Sequence, residues 1–482
     1  MTRGWGWMVL LGLLACSERK AARSRVDTTD GGMTLTSAAK SLPPPWLIGP
    51  DPIDRTHPAY GVAMHHMANV FEQPRKDARV LGYLRRGARF RASEQVSNEN
   101  CAKGWFEALG GGFVCNGEGV NVDSKPPRYN DPPILPALSD PLPYRFMKTT
   151  KVDVPQYLRM PTADEEIAIK AAFARPLPKP TSADAGVNPL ATVPQPLLPV
   201  VRMRMQPGFY VSVDRQVTDE ATGRSFYRTV RGGYIRAEEL TDSKQPQGLG
   251  VALGGRLNLP LAFVYRPGVK ALRLHPVTGE PIKAGDDLRV HSAHQLTGQV
   301  VHRGGARYYV TSDGLLLRDQ GVRVIEKVSR PKHTGKSERW IRVDLDRQTL
   351  TAYEADKPVF ATLISSGLDD HATPVGVFRL HAKHVATTMA DDVADGPYSI
   401  EDVPWTMYFL GSYALHAAFW HDKFGNQRSH GCVNLAPRDA RWLFYWSAPD
   451  VPSGWHGAIA AIGKGTVVSL DKGSVYAIEQ GS

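Results

Sequence analysis

The residues of this sequence best suited to chemistry lie in one short stretch near its C-terminal end. Residues 413–435 read YALHAAFWHDKFGNQRSHGCVNL and contain one cysteine and three histidines. A thiolate is a strong nucleophile, but a thiol with the ordinary pKa of about 8.5 is only a few per cent ionised at neutral pH. A neighbouring imidazole can take the proton of the thiol or hold it in an ion pair. The stretch therefore predicts Cys432 as a nucleophile with a histidine as its base.

The residues on either side of Cys432 favour the same chemistry. Gly431 lets the backbone approach a substrate closely and leaves adjacent N–H groups free to hold an oxyanion. After Cys432 the chain is predicted to enter a helix with Pro437 in its first turn. The partial positive charge at that end of a helix favours a thiolate.

Two other interpretations of these residues stay open at this point. A zinc site could be formed by the four residues His416, His421, His430 and Cys432, although their spacing lacks the usual paired ligands. A buried structural cysteine beside packed histidines is the other alternative. His421 is interpreted as a loop or structural histidine rather than as a second base.

The elements that must position these residues begin near Trp340. Ile341, Val343 and Leu345 alternate with polar residues, which predicts a strand with one buried face. Further short strands are predicted at 350–353, 359–365 and 377–380. The sequence therefore predicts a β-rich domain that ends near Leu470.

The motif SHGCVN at 429–434, with a histidine sixteen residues before the cysteine, resembles the active-site signature of L,D-transpeptidases, which have the YkuD-like fold. The resemblance extends over 338–471 through ordered motifs. These are IRVDL at 341–345, SSG at 365–367, TPVGVF at 373–378 and VPWTMYF at 403–409. It covers little more than a quarter of the chain.

The resemblance implies a mainly β fold, with a YkuD-like β-sandwich and a short helix after the catalytic cysteine. It implies Cys432 as nucleophile and His416 as acid/base partner, with no metal and no organic cofactor. Backbone N–H groups around His430, Gly431 and Cys432 would form the oxyanion hole. The pocket would be shaped by Ser429, His430 and Asn434.

Two positions depart from the family pattern. Ala417 stands where the family usually has glycine, and its carbonyl could still orient the imidazole. Ala436 replaces the serine that often caps the following helix, a loss of about 1 kcal/mol.

The function implied is a peptidoglycan L,D-transpeptidase that cross-links third-position residues of stem peptides through a cysteine thioester. With water as acceptor the same nucleophile would give an L,D-carboxypeptidase or amidase. With a protein lysine as acceptor it would anchor a protein to the wall. A non-catalytic wall-binding lipoprotein is an alternative of another class. The expected partner in each case is the cell wall.

The N-terminus predicts export. A basic start, an apolar run and the sequence LLAC ending at Cys16 resemble the lipobox of bacterial lipoproteins. The resemblance implies lipidation of Cys16 and a membrane anchor in the cell envelope. In an oxidising compartment, Cys101 and Cys115 predict a disulfide, with two reduced buried thiols as the alternative. Cys432 is then the remaining thiol.

The formal charge of +10 is compatible with nucleic acid, an anionic membrane or an acidic polymer as partner. No compact Lys/Arg stripe with interleaved aromatic residues is present, so nucleic acid is not expected. No run of 18 apolar residues follows the N-terminus, so no internal membrane span is predicted.

The domain organisation is predicted from composition and from a weak internal repeat. Tyr227 and Tyr234 are spaced as Phe106 and Phe113 are, with a weaker echo from Tyr308-Tyr309 through Gly314-Leu315-Leu316. This spacing suggests divergent barrel repeats, and generic β-hairpins are the alternative. The predicted segments are a signal peptide (1–16), a tether (17–57), a Src-homology-3-like barrel (58–122), a Pro-rich linker with one short helix opened at 162–165 (123–199), a β-rich region (200–335), the catalytic domain (336–472) and a tail (473–482).

Overall fold

The computed structural model describes residues 52–177, 188–246, 248–391 and 398–473. The predicted signal peptide with Cys16, most of the tether and nearly all of the tail lie outside these ranges. The fold is mainly β, which confirms the predicted class. In the described ranges no helix is long and apolar enough to cross a membrane.

A short helix, α1 (Pro52–Thr56), leads into a first module of seven antiparallel strands. They are β1 (Ala59–Ala63), β2 (Met67–Phe71), β3 (Val80–Arg85), β4 (Arg89–Ser97), β5 (Trp105–Ala108), β6 (Phe113–Cys115) and β7 (Val120–Asp123). The strand order is β7–β1–β4–β5–β6–β2–β3. Small side chains, mostly alanine and valine, fill its core, and a disulfide joins Cys101 to Cys115 beside the buried Trp105.

A second module is built from seven more strands. They are β8 (Arg145–Lys148), β9 (Val154–Tyr157), β10 (Val201–Met205), β11 (Tyr210–Asp219), β12 (Arg224–Thr229), β13 (Tyr234–Arg236) and β14 (Thr241–Asp242). The helix α2 (Ala163–Phe173) lies between β9 and β10 in sequence, and a capping box of Thr162 and Glu165 opens it. The strand order is β14–β8–β11–β12–β13–β9–β10, which is the order of the first module.

The second module begins well before the predicted boundary at 200. The segment 123–199, predicted as a linker, supplies β8 and β9 to this sheet. Both strands have only four residues, and one of them contains Pro155, which cannot donate to the ladder. Strands this short within a proline-rich segment give no periodic signal, so the prediction of a linker is wrong for 145–157.

The third module repeats the same plan after β15 (Val251–Ala252), which belongs to a catalytic sheet. Its strands are β16 (Leu261–Val264), β17 (Lys270–Leu274), β18 (Pro281–Asp287), β19 (Ala293–Arg303), β20 (Ala306–Thr311), β21 (Leu316–Arg318) and β22 (Val322–Ile325). The order is β22–β16–β19–β20–β21–β17–β18. The three modules therefore share one topology, while their membership of the Src-homology-3-like class stays a prediction.

One hairpin recurs in all three modules at the place where the sequence echo lies. The N–H of Gly111 donates to the carbonyl of Ala108 at 2.9 Å, and Gly232 and Gly314 make the equivalent bonds to Thr229 and Thr311 at 2.9 and 3.0 Å. The three glycines have φ values of +96°, +86° and +79°, a region that glycine enters without strain. An aromatic residue five positions before the glycine therefore corresponds to the same turn and the same strand register in each module.

The catalytic domain is a sandwich of two sheets with one helix. Its further elements are β23 (Arg339–Asp344), β24 (Thr349–Glu354), β25 (Lys357–Leu363), β26 (Gly376–Arg379), β27 (Ala382–Asp391), β28 (Tyr398–Leu410), β29 (Tyr413–Ala417), β30 (Val433–Leu435), α3 (Pro437–Trp446), β31 (Trp455–Ile459) and β32 (Val467–Asp471). One sheet has the order β15–β25–β24–β23–β32–β26. The other has the order β30–β29–β28–β27–β31 and continues through β31 into β3 of the first module.

The strand β23 is buried on both faces, whereas the alternating sequence predicts one buried face. Arg342 and Asp344 are 6% and 5% exposed. The guanidinium of Arg342 donates to Asp344 at 3.0 Å and to Asp471 on β32 at 3.0 and 2.8 Å. The polar face of this strand is therefore occupied by a buried ion-pair cluster that spans two neighbouring strands.

A second buried ion-pair cluster joins the first two modules to the catalytic domain. Asp402 on β28 is fully buried, and its Oδ1 accepts from Arg85 of the first module at 3.0 Å and from Arg231 of the second at 3.2 Å. Its Oδ2 accepts from the hydroxyl of Ser212 in the second module. Burial alone would raise the pKa of Asp402, but Arg85 and Arg231 hold this pKa well below its ordinary value.

We expect Asp402→Asn to lower the free energy of unfolding by about 3–5 kcal/mol, because it leaves the buried guanidinium of Arg85 without its charge partner. Asp356→Asn is the matched control, since Asp356 is 69% exposed and lies 3.9 Å from Arg330. Its loss should stay below about 1 kcal/mol. Equal denaturation midpoints for the two variants in urea would contradict the role assigned to Asp402.

Candidate active site

The two predicted catalytic residues lie on neighbouring strands of one sheet. β29 and β30 pair in parallel, with His416 opposite Asn434. Cys432 precedes β30 and stands two residues before Asn434. Alternate residues of a strand point to the same face, and paired residues share that face. The strand register therefore places the imidazole on the same face of the sheet as Asn434, and Cys432 stands at the start of that strand.

The imidazole of His416 is buried and held in one tautomer. Its Nδ1 lies 3.1 Å from the carbonyl oxygen of Ala417, and because a carbonyl only accepts, Nδ1 carries the proton. The ring stacks on Trp420 at 5.8 Å between ring centroids. Burial lowers the pKa of His416 to about 4, and the hydrogen bond to Ala417, which raises this pKa, offsets only part of the effect. His416 is thus neutral at pH 7, with Nε2 able to accept a proton.

The thiol of Cys432 is half-buried and protonated at neutral pH. Its Sγ donates to the carbonyl of Ser412 at 3.8 Å. Burial raises the pKa of Cys432, and a backbone hydrogen bond from Ala414 offsets this only in part. In the described part of the chain, Sγ is bonded to Ser412 and not to His416. In the resting state the thiol and the imidazole are therefore both neutral.

Ser429 fixes the turn that leads to the nucleophile. Its hydroxyl donates to the carbonyl of Cys432 and accepts from the N–H of Gly431 at 3.1 Å. The predicted oxyanion role of the Gly431 N–H is therefore corrected, because that N–H is already engaged by Ser429. Gly431 has φ +108°, and a Cβ there would lie 2.6 Å from the ring of Tyr413. Only glycine fits this turn without strain.

His430 and Asn434 each lie beside another histidine. The exposed His430 meets the ring of His371 edge to face at 4.8 Å. The buried side-chain amide of Asn434 lies 3.0 Å from Nε2 of His421. Each contact joins residues of separate segments, so sequence spacing did not predict it.

Thr373 is a positioning residue that sequence reasoning left without a role. Its hydroxyl accepts from the N–H of Gly367 at 2.8 Å and donates to the carbonyl of Gly431 at 2.8 Å. Gly367 in turn packs so closely that a Cβ would meet the backbone of His371 at 2.1 Å. Gly367 of the SSG motif and Thr373 of the TPVGVF motif therefore hold the turn at Gly431, which precedes Cys432.

The loop between the two catalytic residues is held on one side by the second module. Phe419 stacks on Phe146 of β8 at 4.1 Å and meets Tyr210 of β11 edge to face at 5.5 Å. Tyr210 also lies 6.4 Å from the ring of Trp420, which stacks on His416. The second module thus supports the aromatic residue that covers the catalytic imidazole.

The third module holds the other end of the same loop. Phe424 is fully buried in a cluster with Leu261 and Phe263 of β16. The Nε of Arg323 donates to the carbonyl of Gly425 at 2.9 Å. The 418–428 loop is therefore fixed between two modules that are remote from it in sequence. No three His, Cys, Asp or Glu side chains are grouped to hold a metal ion among the residues that the structure describes.

We expect alkylation of Cys432 by iodoacetamide to rise about tenfold per pH unit from pH 6 to 8, without a plateau. The reason is that the raised pKa of Cys432 keeps its thiolate fraction small, while the lowered pKa of His416 keeps the imidazole neutral throughout. Loss of the Cys432 thiol measures the rate, and Cys432→Ala, which lacks this thiol, is the control. A plateau between pH 6 and 7 would instead reveal a preformed thiolate–imidazolium pair.

Comparison with known proteins agrees with this geometry. Residues 338–469 match the family model for YkuD, the L,D-transpeptidase catalytic domain. A putative L,D-transpeptidase of Bacillus subtilis (strain 168), YciB, is 27% identical over 118 residues, which are 22% of this chain and 59% of that protein. The chain therefore spans little more than half of that relative's length.

Solved structures of L,D-transpeptidases also resemble part of the chain. The catalytic domain of the Enterococcus faecium L,D-transpeptidase, solved by NMR, is 27% identical with a TM-score of 0.23, over 29% of this chain and 99% of that one. A crystal structure of a mutant of the E. faecium enzyme is 25% identical with a TM-score of 0.23, over 31% and 55%. On the family match, the segment 338–469 of this chain carries an L,D-transpeptidase catalytic domain of the YkuD type.

Proposed function

We propose that this chain is a peptidoglycan L,D-transpeptidase that joins third-position residues of two stem peptides through a thioester on Cys432. The observation that carries the proposal is the parallel pairing of β29 with β30. The pairing puts His416 opposite Asn434, two residues after Cys432, and the Ala417 carbonyl holds the Nδ1 proton of His416, which supports Nε2 as the base for the thiol. This arrangement suits a neutral nucleophile activated by a general base.

In the first step, Sγ of Cys432 turns from the Ser412 carbonyl towards His416. Its proton passes to Nε2 as the sulfur attacks the carbonyl carbon of the third stem residue. The carbon–nitrogen bond to the terminal D-alanine then breaks, and His416 returns the proton to the departing amine. The stem peptide remains on Cys432 as a thioester.

In the second step, the side-chain amine of a third residue on a neighbouring stem attacks the thioester carbonyl. His416 takes a proton from that amine, and the carbon–sulfur bond breaks as the new amide forms. The sulfur leaves as a thiolate and recovers its proton from His416. The free enzyme and one cross-link are the products, and no oxidant, metal or nucleotide is consumed.

We expect incubation of the wild type with disaccharide-tetrapeptides to give dimers that have lost one D-alanine, measured by mass spectrometry. Cys432→Ala should give none, and His416→Ala should be slower by about 10²–10⁴-fold because it lacks the general base. His65→Ala, which changes an exposed histidine of the first module, should match the wild type. A carbapenem should add its mass to the wild type and not to Cys432→Ala.

The masses of the products also distinguish the alternative acceptors. Monomeric tripeptides alone would mean that water is the acceptor, as in an L,D-carboxypeptidase. A stem peptide on a protein lysine would mean protein anchoring. A wild type that forms neither product nor carbapenem adduct would contradict the proposal and favour a non-catalytic wall-binding protein.

We also propose that the chain is exported and anchored by a lipid on Cys16. The LLAC sequence supports this, and so does the Cys101–Cys115 disulfide, since such bonds persist in oxidising compartments. We expect labelled palmitate to be incorporated in cells expressing the full chain and not in cells expressing Cys16→Ser. Equal labelling of both would contradict the anchor.

A further inference from the structure

A strip of aromatic and polar side chains runs from the first module to Cys432 on one face of the sheet. We define this strip by Asn69, Tyr83, His384 and Tyr408. β31 pairs with β3, so the catalytic sheet and the first module form one continuous surface here. The strip crosses neighbouring strands of this surface, and the last strand of the row is β30, which directly follows Cys432.

The strand register puts the outer half of the strip on one face. Asn69 is opposite Tyr83, Tyr83 is opposite Gly457, and Gly457 is opposite His384. Because Gly457 has no side chain, the rings of Tyr83 and His384 stack across it at 5.7 Å and 21°. A Cβ at Gly457 would lie 2.9 Å from Nδ1 of His384. The glycine thus allows a residue of the first module to meet the catalytic sheet.

The inner half of the strip leads to the catalytic residues. His384 meets Tyr408 edge to face at 5.7 Å, and Tyr408 is paired with Ala414 on β29. Ala414 in turn makes a backbone hydrogen bond to the sulfur of Cys432, so the strip reaches the nucleophile through the strand next to Tyr408. Tyr83, His384, Tyr408 and Cys432 are all half-buried, so each presents an edge to solvent.

The opposite face of the same strands is closed. Lys383, Met407 and Leu415 are buried there, and the ammonium of Lys383 donates to the carbonyls of Phe444 and Ser447 at the end of α3. Ligand access to this sheet is therefore from the face that carries the strip.

Two polar groups on the strip have hydrogen-bonding capacity to spare. Nδ1 of His384 is buried and has no partner among the described residues. Asn69 is exposed and is paired with Tyr83 across β2 and β3. An exposed amide next to half-buried aromatic rings suits a sugar ring, which offers apolar C–H groups on its face and hydroxyl or acetamido groups on its rim.

The spacing fits a sugar that carries a peptide whose third residue reaches Cys432. Strands lie about 4.8 Å apart, so β27 is about 14 Å and β3 about 24 Å from β30. Three extended residues span about 10 Å. A stem peptide that extends from Cys432 along the strip therefore ends just short of β27, and the saccharide attached to it continues towards His384 and Tyr83.

We propose that the strip is the binding site for the saccharide end of the donor stem peptide, with Tyr83 of the first module as its outermost ring. This inference rests on the proposed function. It assigns to the first module a direct part in substrate binding at the catalytic site.

The test measures binding in the Cys432→Ala background, where no turnover occurs, by calorimetry with disaccharide-tetrapeptide and with free tetrapeptide. Adding Tyr83→Ala should weaken the disaccharide-tetrapeptide by about tenfold and leave the free tetrapeptide unchanged. Tyr83→Phe should keep both affinities within about twofold, since the ring remains. Tyr60→Ala is the matched control, because Tyr60 is a half-buried tyrosine on β1 of the same module, away from the strip.

Equal weakening of both ligands, no weakening by Tyr83→Ala, or binding of neither ligand would overturn the inference. Thermal unfolding of each variant shows whether the module has stayed folded. Turnover by the wild type is scored separately, so a catalytic failure of the proposed function is distinguished from a failure of this binding site.

Discussion

The arrangement of the molecule depends on the buried carboxylate of Asp402. It comes from a catalytic strand and is shared by arginines of two modules that precede that strand by more than 150 residues. A charge in such a place is tolerated only when opposite charges and hydrogen bonds surround it. The first and second modules are therefore both tied to the catalytic domain through this carboxylate, which lies within ion-pair distance of both arginines.

The modules also build the catalytic site. The loop from His416 to Cys432 carries Phe419 and Trp420, which pack on the second module, and Gly425, which accepts a hydrogen bond from the third. A loop of this length has little internal hydrogen bonding and would otherwise sample many conformations. Contacts from both sides hold the segment that connects the two predicted catalytic residues. The second and third modules are thus structural parts of the site.

Much of the site was predictable because its chemistry is local in sequence. SHGCVN and the preceding histidine identify Cys432 and His416, and the family match confirms the recognition for 338–469. The matching spacings of Phe106 to Phe113 and Tyr227 to Tyr234 suggested related repeats, and the structure gives these segments the same turn, with glycine at φ > 0. The sequence did not reveal β8 and β9, the Asp402 cluster, or the contacts that His371 and His421 make. These depend on contacts between residues far apart in the chain, which leave no local pattern.

The pairing of β31 with β3 has a consequence for solubility. A strand at the margin of a sheet presents a row of unpaired N–H and C=O groups, which other chains can pair with. Here the margin of the catalytic sheet and the margin of the first module cover each other. A chain shortened to its catalytic domain would expose that row and become a template for self-association. The first module thus prevents self-association of the chain through this edge strand.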